Sequence, residues 1–177
     1  TFTGSTEVGL SVAERLARRA APAQAEMGGQ NPAIVLADAD LEAAADAIVS
    51  GAMSFAGQKC TATRRVIVLE EVAETMDRLL AERIEALVVG DPARDGVTVG
   101  PLISSDAVED FEQAASAALE AGGEVVARAG SGEGGYFVSP VLIRQDDPMA
   151  TVNQEETFGP LLTVMTVTDA AAAITAA

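Results

Sequence analysis

The chain has 177 residues, a length that fits one domain or one domain plus a fragment, and 49% of them are hydrophobic, enough to fill a core. The net charge is −16, with no histidine and one cysteine. Phosphate-backbone binding needs clustered lysine and arginine, so this balance argues against a nucleic acid or an anionic membrane as partner. A lone cysteine excludes an internal disulfide and a zinc ligand set, so no metal is expected. No apolar run approaches the roughly 20 residues of a membrane span, and no leader-like segment is recognisable, so a cytoplasmic setting is expected.

In chain order, "TFTGSTEVG" reads as a short β-like start running into a glycine turn. A helix follows with Val8, Val12, Leu16 and Ala20 on one face. "AQAEMGG" is extended and then turns. A buried strand is expected over Ala33–Leu36, and Asp38 or Asp40 then caps a helix whose stripe is Leu41, Ala45, Ile48, Ala52 and Phe55. Gly57 is the natural stop of that helix and leaves Cys60 in the following loop. "RRVIVLEE" is a continuous apolar strand, with Arg64 and Arg65 at its start free to point into solvent. The next helix turns Val72, Met76, Leu79, Leu80, Ile84 and Leu87 inward. A loop-rich stretch, "VVGDPARDGVTVGPLIS", leads to a helix near Ser105–Ala121 that stops at Gly122-Gly123. "EVVARA", "YFVSPVLIR" and "LLTVMTV" are further strands, and "GSGEGG" is a surface turn. Strands alternating with helices of this length predict an α/β fold, a mainly parallel sheet flanked by helices. The sequence starts at Thr1 and ends in "DAAAAITAA", which reads as a helix just begun, so it is expected to be a piece of a longer protein.

Four short motifs carry chemistry, and each has a bland reading beside it. "GSTEVG" lacks the Lys-Ser/Thr of a phosphate-binding P-loop, yet Gly4-Ser5-Thr6 opens a helix where free N–H groups favour a phosphate. An ordinary capped helix start reads the same way. In "EMGGQNP", Glu26 beside two glycines suits a general base, or is a solvated loop charge. Cys60 has Lys59, Arg64 and Arg65 nearby, cations of the kind that lower a thiol pKa, but a lone cysteine is more often inert packing. In "NQEETFGPLL", a carboxylate could hold ribose hydroxyls or stand in solvent.

Taken together, "FTGSTEVG", "EMGGQNPAIVLADADLEAA", "GQKC" and "EETFGPLL" resemble the aldehyde dehydrogenase superfamily from Thr1 to the last residue. Cys60 follows Glu26 by 34 positions and Glu156 follows Cys60 by 96, both close to the spacings of that family. "MGGQNP" and "GQKCTATRRV" look most like α-ketoglutaric semialdehyde dehydrogenases. The resemblance implies that Cys60 attacks an aldehyde carbonyl, that hydride passes from the thiohemiacetal to NAD or NADP, and that Glu26 activates the water that hydrolyses the thioester. It implies that Gly4 and Ser5 meet the cofactor diphosphate, that Glu156 holds the nicotinamide ribose, and that Phe158 and the Met27 backbone lie beside the ring.

By the same resemblance, residues 1–27 are the tail of a dinucleotide-binding domain and residues 28–177 most of the catalytic domain. The partner is a small-molecule aldehyde, and the parent protein a homo-oligomer. Many family members have Leu and Lys at the positions of Met27 and Gln30, and Gln30 removes a cation near the site. The family's oxyanion asparagine and its adenosine-ribose groups would lie upstream of Thr1, so the isolated chain is expected to be inactive. Two other readings stand beside this one. One is a truncated, non-enzymatic interaction module. The other is an acylating relative that passes the thioester to coenzyme A, against which Glu26 argues, because a hydrolytic base is useful only when water is the acceptor.

Overall fold

Two sheets organise the computed structural model, which describes residues 1–177. The smaller is a parallel pair, β1 (Phe2–Thr3) and β2 (Ala25–Glu26), joined by helix α1 (Thr6–Ala17). The larger contains β3 (Asn31–Val35), β4 (Thr63–Leu69), β5 (Glu124–Arg128), β6 (Val141–Arg144) and β7 (Leu161–Val167). Its spatial order is β3-β4-β7-β6-β5, parallel throughout except for the antiparallel edge strand β5. The helices are α2 (Leu41–Met53), α3 (Glu70–Glu85), α4 (Ser105–Glu120), the short α5 (Thr151–Gln154) and α6 (Ala170–Ala176). The fold is therefore the expected α/β arrangement.

The central strands β4, β6 and β7 are continuous apolar runs because both of their faces are covered. In β4, Val66 and Val68 enter the main core, to which α2, α3 and α4 contribute, while Ile67 and Leu69 pack with Met165 and Ala173 of α6. Helix starts carry short polar caps: Ser5 accepts from the Val8 N–H at 3.4 Å, Asp40 from Ala43 at 3.1 Å, Ser104 from Ala107 at 3.2 Å and Asp169 from Ala172 at 2.8 Å. Of the two aspartates proposed for α2, it is Asp40 that caps.

Several local expectations are corrected. α2 ends at Met53, so Phe55 is not part of its buried stripe. Phe55 and Ala56 take left-handed backbone (φ 55° and 54°), and the Phe55 ring is exposed. The strand at Ala33 starts earlier, at Asn31, and stops before Leu36. Of "YFVSPVLIR", only Val141–Arg144 pairs as a strand. In α1 the buried residue is Gly9, packed on Met27 and Phe2, while Val8 and Leu10 stay exposed. The largest correction concerns Arg64 and Arg65, which are buried instead of pointing into solvent.

Candidate active site

Chain topology explains why distant segments meet. The turn at residues 27–30 precedes β3, the Cys60 loop precedes β4, and the turn at residues 155–160 precedes β7. These three strands are parallel neighbours, so their entry loops emerge side by side at one end of the sheet. The small sheet adds its opposite end: Thr3 pairs with Glu26, and the Gly4 N–H donates to the Glu26 carbonyl at 3.1 Å. The cleft between them has a volume of about 720 Å³. All seven residues singled out in the sequence line it: Gly4, Ser5, Glu26, Met27, Cys60, Glu156 and Phe158.

The Cys60 loop is held by local sequence. Asn31 Nδ2 donates to the Cys60 carbonyl at 2.8 Å and to the Ala62 carbonyl at 3.0 Å, which ties the loop to the start of β3. Gln58 Nε2 donates to the Phe55 and Pro101 carbonyls, and its Oε1 accepts from the Ile103 N–H at 2.9 Å. Cys60 itself is exposed, while Lys59 Nζ lies 5.2 Å from the centre of the Phe55 ring. Three successive left-handed residues, Phe55, Ala56 and Gly57, form the approach to this loop. Left-handed backbone costs roughly 1–2 kcal/mol for a non-glycine residue, so the surrounding contacts must enforce it.

Arg64 is the principal enforcer, and the sequence reading discounted it. It is 1% exposed. Its Nη2 donates to the Gly57 carbonyl at 2.6 Å and the Lys59 carbonyl at 3.3 Å, and its Nη1 to the Gly159 carbonyl at 2.8 Å. The same guanidinium stands 3.7 Å from Glu156 Oε1 and 5.8 Å from the centre of the Phe158 ring. Burial pulls its pKa below the usual value, and the Glu156 charge pulls it back. A planar five-donor fork suits this task as a lysine ammonium would not. Arg65 is used differently: Nε and Nη2 donate to the Gln30 carbonyl at 3.0 and 2.9 Å, and its other bonds reach the carbonyls of Ala176 and Ala177. Gln30 in turn donates from Nε2 to the Val152 carbonyl at 2.6 Å, so it joins the 27–30 turn to α5. The signal for the two arginines was available in the sequence: charged residues opening an otherwise apolar, two-sided strand must be paired if they are buried.

Two glycines make the close approaches possible. A Cβ on Gly28 would overlap Glu156 Oε2, so the bare backbone is the surface on which that carboxylate rests. Gly57 has φ +70°, and a Cβ there would overlap the Gly159 carbonyl. Gly57→Ala is expected to cost about 2–3 kcal/mol through strain and overpacking. Urea unfolding checks it, and a change under about 0.5 kcal/mol would show that the turn relaxes freely.

The residues present suit a nucleotide ligand. Glu156 lines the cleft, and its Oε1, 3.7 Å from the Arg64 guanidinium, is a buried acceptor without a hydrogen-bond partner. The N-terminus of α1 at Ser5 adds first-turn N–H groups, which have no acceptor inside a helix.

The aldehyde dehydrogenase family model matches residues 1–177. The chain is 39% identical over 173 residues to the α-ketoglutaric semialdehyde dehydrogenase of Bacillus subtilis (strain 168), covering 94% of this chain and 35% of that protein. Among solved structures, it resembles lactaldehyde dehydrogenase from Escherichia coli (TM-score 0.93, 35% identity), covering 98% of this chain and 37% of that one. It also resembles the betaine aldehyde dehydrogenase of Staphylococcus aureus in complex with NAD+ (TM-score 0.94, 28% identity), covering 99% of this chain and 36% of that one. The chain thus spans about a third of the length of the relatives it matches. With a family match over every residue and a fold superimposable on those of solved members, the chain belongs to the aldehyde dehydrogenase family.

Proposed function

We infer that this chain is the Cys60-bearing portion of an NAD- or NADP-dependent aldehyde dehydrogenase that oxidises a small aldehyde to a carboxylate. The observation that carries the reading is the convergence of Cys60, Glu26 and Glu156 from separate segments on one cleft. Cys60 Sγ attacks the aldehyde carbon to give a thiohemiacetal, and oxidation of that adduct leaves a thioester on Sγ. When bound, the nicotinamide supplies the two-electron acceptor for that oxidation. Glu26 takes a proton from the water that hydrolyses the thioester, a role that needs no histidine. Glu156 would hold the ribose hydroxyls of that cofactor, Gly4 and Ser5 at the α1 start its diphosphate, and Met27 and Phe158 its nicotinamide. Likeness to the Bacillus subtilis enzyme supports a semialdehyde as the substrate class.

Residues 1–27 belong to a dinucleotide-binding unit and residues 28–177 to a catalytic unit. The separation of the β1–β2 pair from the five-stranded sheet supports this division, since the boundary falls between β2 and β3. The chain alone is inactive on this reading, and its parent is a cytoplasmic homo-oligomer.

The test is a rapid-quench reaction of the full-length enzyme with aldehyde and NAD+ or NADP+, followed by peptide mass analysis. An acyl adduct on the Cys60 peptide is expected. Turnover with no adduct at any time point would overturn the covalent route, and NADH formation by the 177-residue chain alone would overturn its inactivity.

A further inference from the structure

We propose that Arg64 is a positioning residue that links the Glu156 carboxylate to the Cys60 loop, so that a ligand engaging Glu156 changes how firmly that loop is held. The identity of the ligand as a ribose rests on the functional reading above, whereas the linkage itself does not.

The guanidinium bridges two segments, the Cys60 loop and the turn at residues 155–160. Two of its hydrogen bonds end on the Cys60 loop, at the Gly57 and Lys59 carbonyls, and a third ends on Gly159, three residues after Glu156. The Lys59 carbonyl also accepts from the Ala62 N–H at 3.0 Å, so the atom that Arg64 grips closes the turn containing Cys60. On the other side, the contact with Glu156 stops at 3.7 Å, within ion-pair range and short of a hydrogen bond. Each partner keeps one buried polar atom unpaired, Arg64 Nε and Glu156 Oε1. A half-satisfied buried pair is costly, and a small displacement that completes it is favourable. Glu156 rests on Gly28, where no side chain blocks its movement.

The consequence is reciprocal. Hydroxyl groups that bind Glu156 compete with Arg64 for the carboxylate and redistribute the guanidinium between its carbonyl partners. By linkage, the arrangement of the Cys60 loop then changes affinity at Glu156 by the same factor. A merely structural Arg64 would hold the loop equally well whatever Glu156 does.

Amide hydrogen exchange on the 177-residue chain separates the two cases. The reporters are the Gln58 and Ala62 amides, whose acceptors, Phe55 and Lys59, lie within the loop and not on Glu156. Glu156→Gln is expected to change their protection at least about five-fold, in the range of coupling between residues in contact, with the β4 interior amides of Val66–Val68 unchanged. In an Arg64→Lys background, which keeps the charge and loses the fork, the same substitution is expected to change them less than two-fold. Cys60 alkylation by iodoacetamide, in which the thiolate displaces iodide from the methylene carbon, should follow the same pattern. Unaltered Gln58 and Ala62 protection in Glu156→Gln would overturn the proposal, as would an equal effect in both backgrounds. The Glu156→Gln arm leaves Arg64 intact, so it decides even if Arg64→Lys fails to fold. Failure here leaves the acyl-adduct test untouched.

Discussion

Replacing Glu26 by glutamine in the full-length enzyme is expected to slow steady-state aldehyde oxidation about 10²- to 10⁴-fold, the usual contribution of a general base. Glutamine matches glutamate in shape and cannot accept a proton from water. The fold should not notice: Glu26 is exposed, and its β2 position is fixed by backbone pairing with Thr3 and by the Gly4 N–H. The loss should therefore fall on hydrolysis of the thioester. Stopped-flow absorbance should show a rapid burst approaching one NADH per Cys60, followed by a slow phase, with acyl-Cys60 accumulating in the mass spectrum. Equal slowing of the burst itself would move Glu26 to an earlier step, the deprotonation of Cys60.

Arg64→Ala should be the most damaging substitution for stability at this site, costing about 3–5 kcal/mol, as expected when one member of a buried charged network is removed. The Gly57 carbonyl loses its Arg64 donor, the Gly159 carbonyl is left with only the Leu161 N–H, and Glu156 loses its cation. Each buried polar group left unsatisfied costs roughly 1–3 kcal/mol. The left-handed run at Phe55–Gly57 also loses its main restraint. Arg64→Lys should recover only part of the loss, because an ammonium cannot reach Gly57 and Gly159 with the geometry of the fork. Urea denaturation of the 177-residue chain measures both. A loss below about 1 kcal/mol for the alanine variant would mean that the carbonyls find other donors.

The layering of the fold was legible because its signals are local. The apolar runs of β4 and β7, the stripe of α3 and the Ser104 and Asp169 caps follow from periodicity and short-range hydrogen bonding. The cleft residues were legible through the family resemblance that their motifs carry together, without any knowledge of how the segments meet. What remained hidden was long-range. Nothing near Arg64 in sequence announces Gly159, 95 positions away, as its acceptor. The buried chain from the Arg64 carbonyl through Thr163 Oγ1 to Asn153, which donates to Gln145 and Asp147, likewise spans separate elements. Phe55 was misassigned because the helical spacing continues past Met53 while the backbone reverses hand. A period shows where a side chain would point if the helix went on, not whether it does.

The position of β7 has a consequence for the order of folding. It is the last strand of the chain, yet it lies between β4 and β6, both made earlier. Until β7 arrives, β4 and β6 each present an unpaired edge open to wrong partners. Arg64 on β4 meanwhile has neither Gly159 nor Glu156, since both sit on the approach to β7. The Cys60 loop is therefore completed by the closing of the sheet, and pairing across such sequence distances is slow. Protection of the β4 and β6 amides and slowing of Cys60 labelling should thus appear together during refolding, as two signals of one late event.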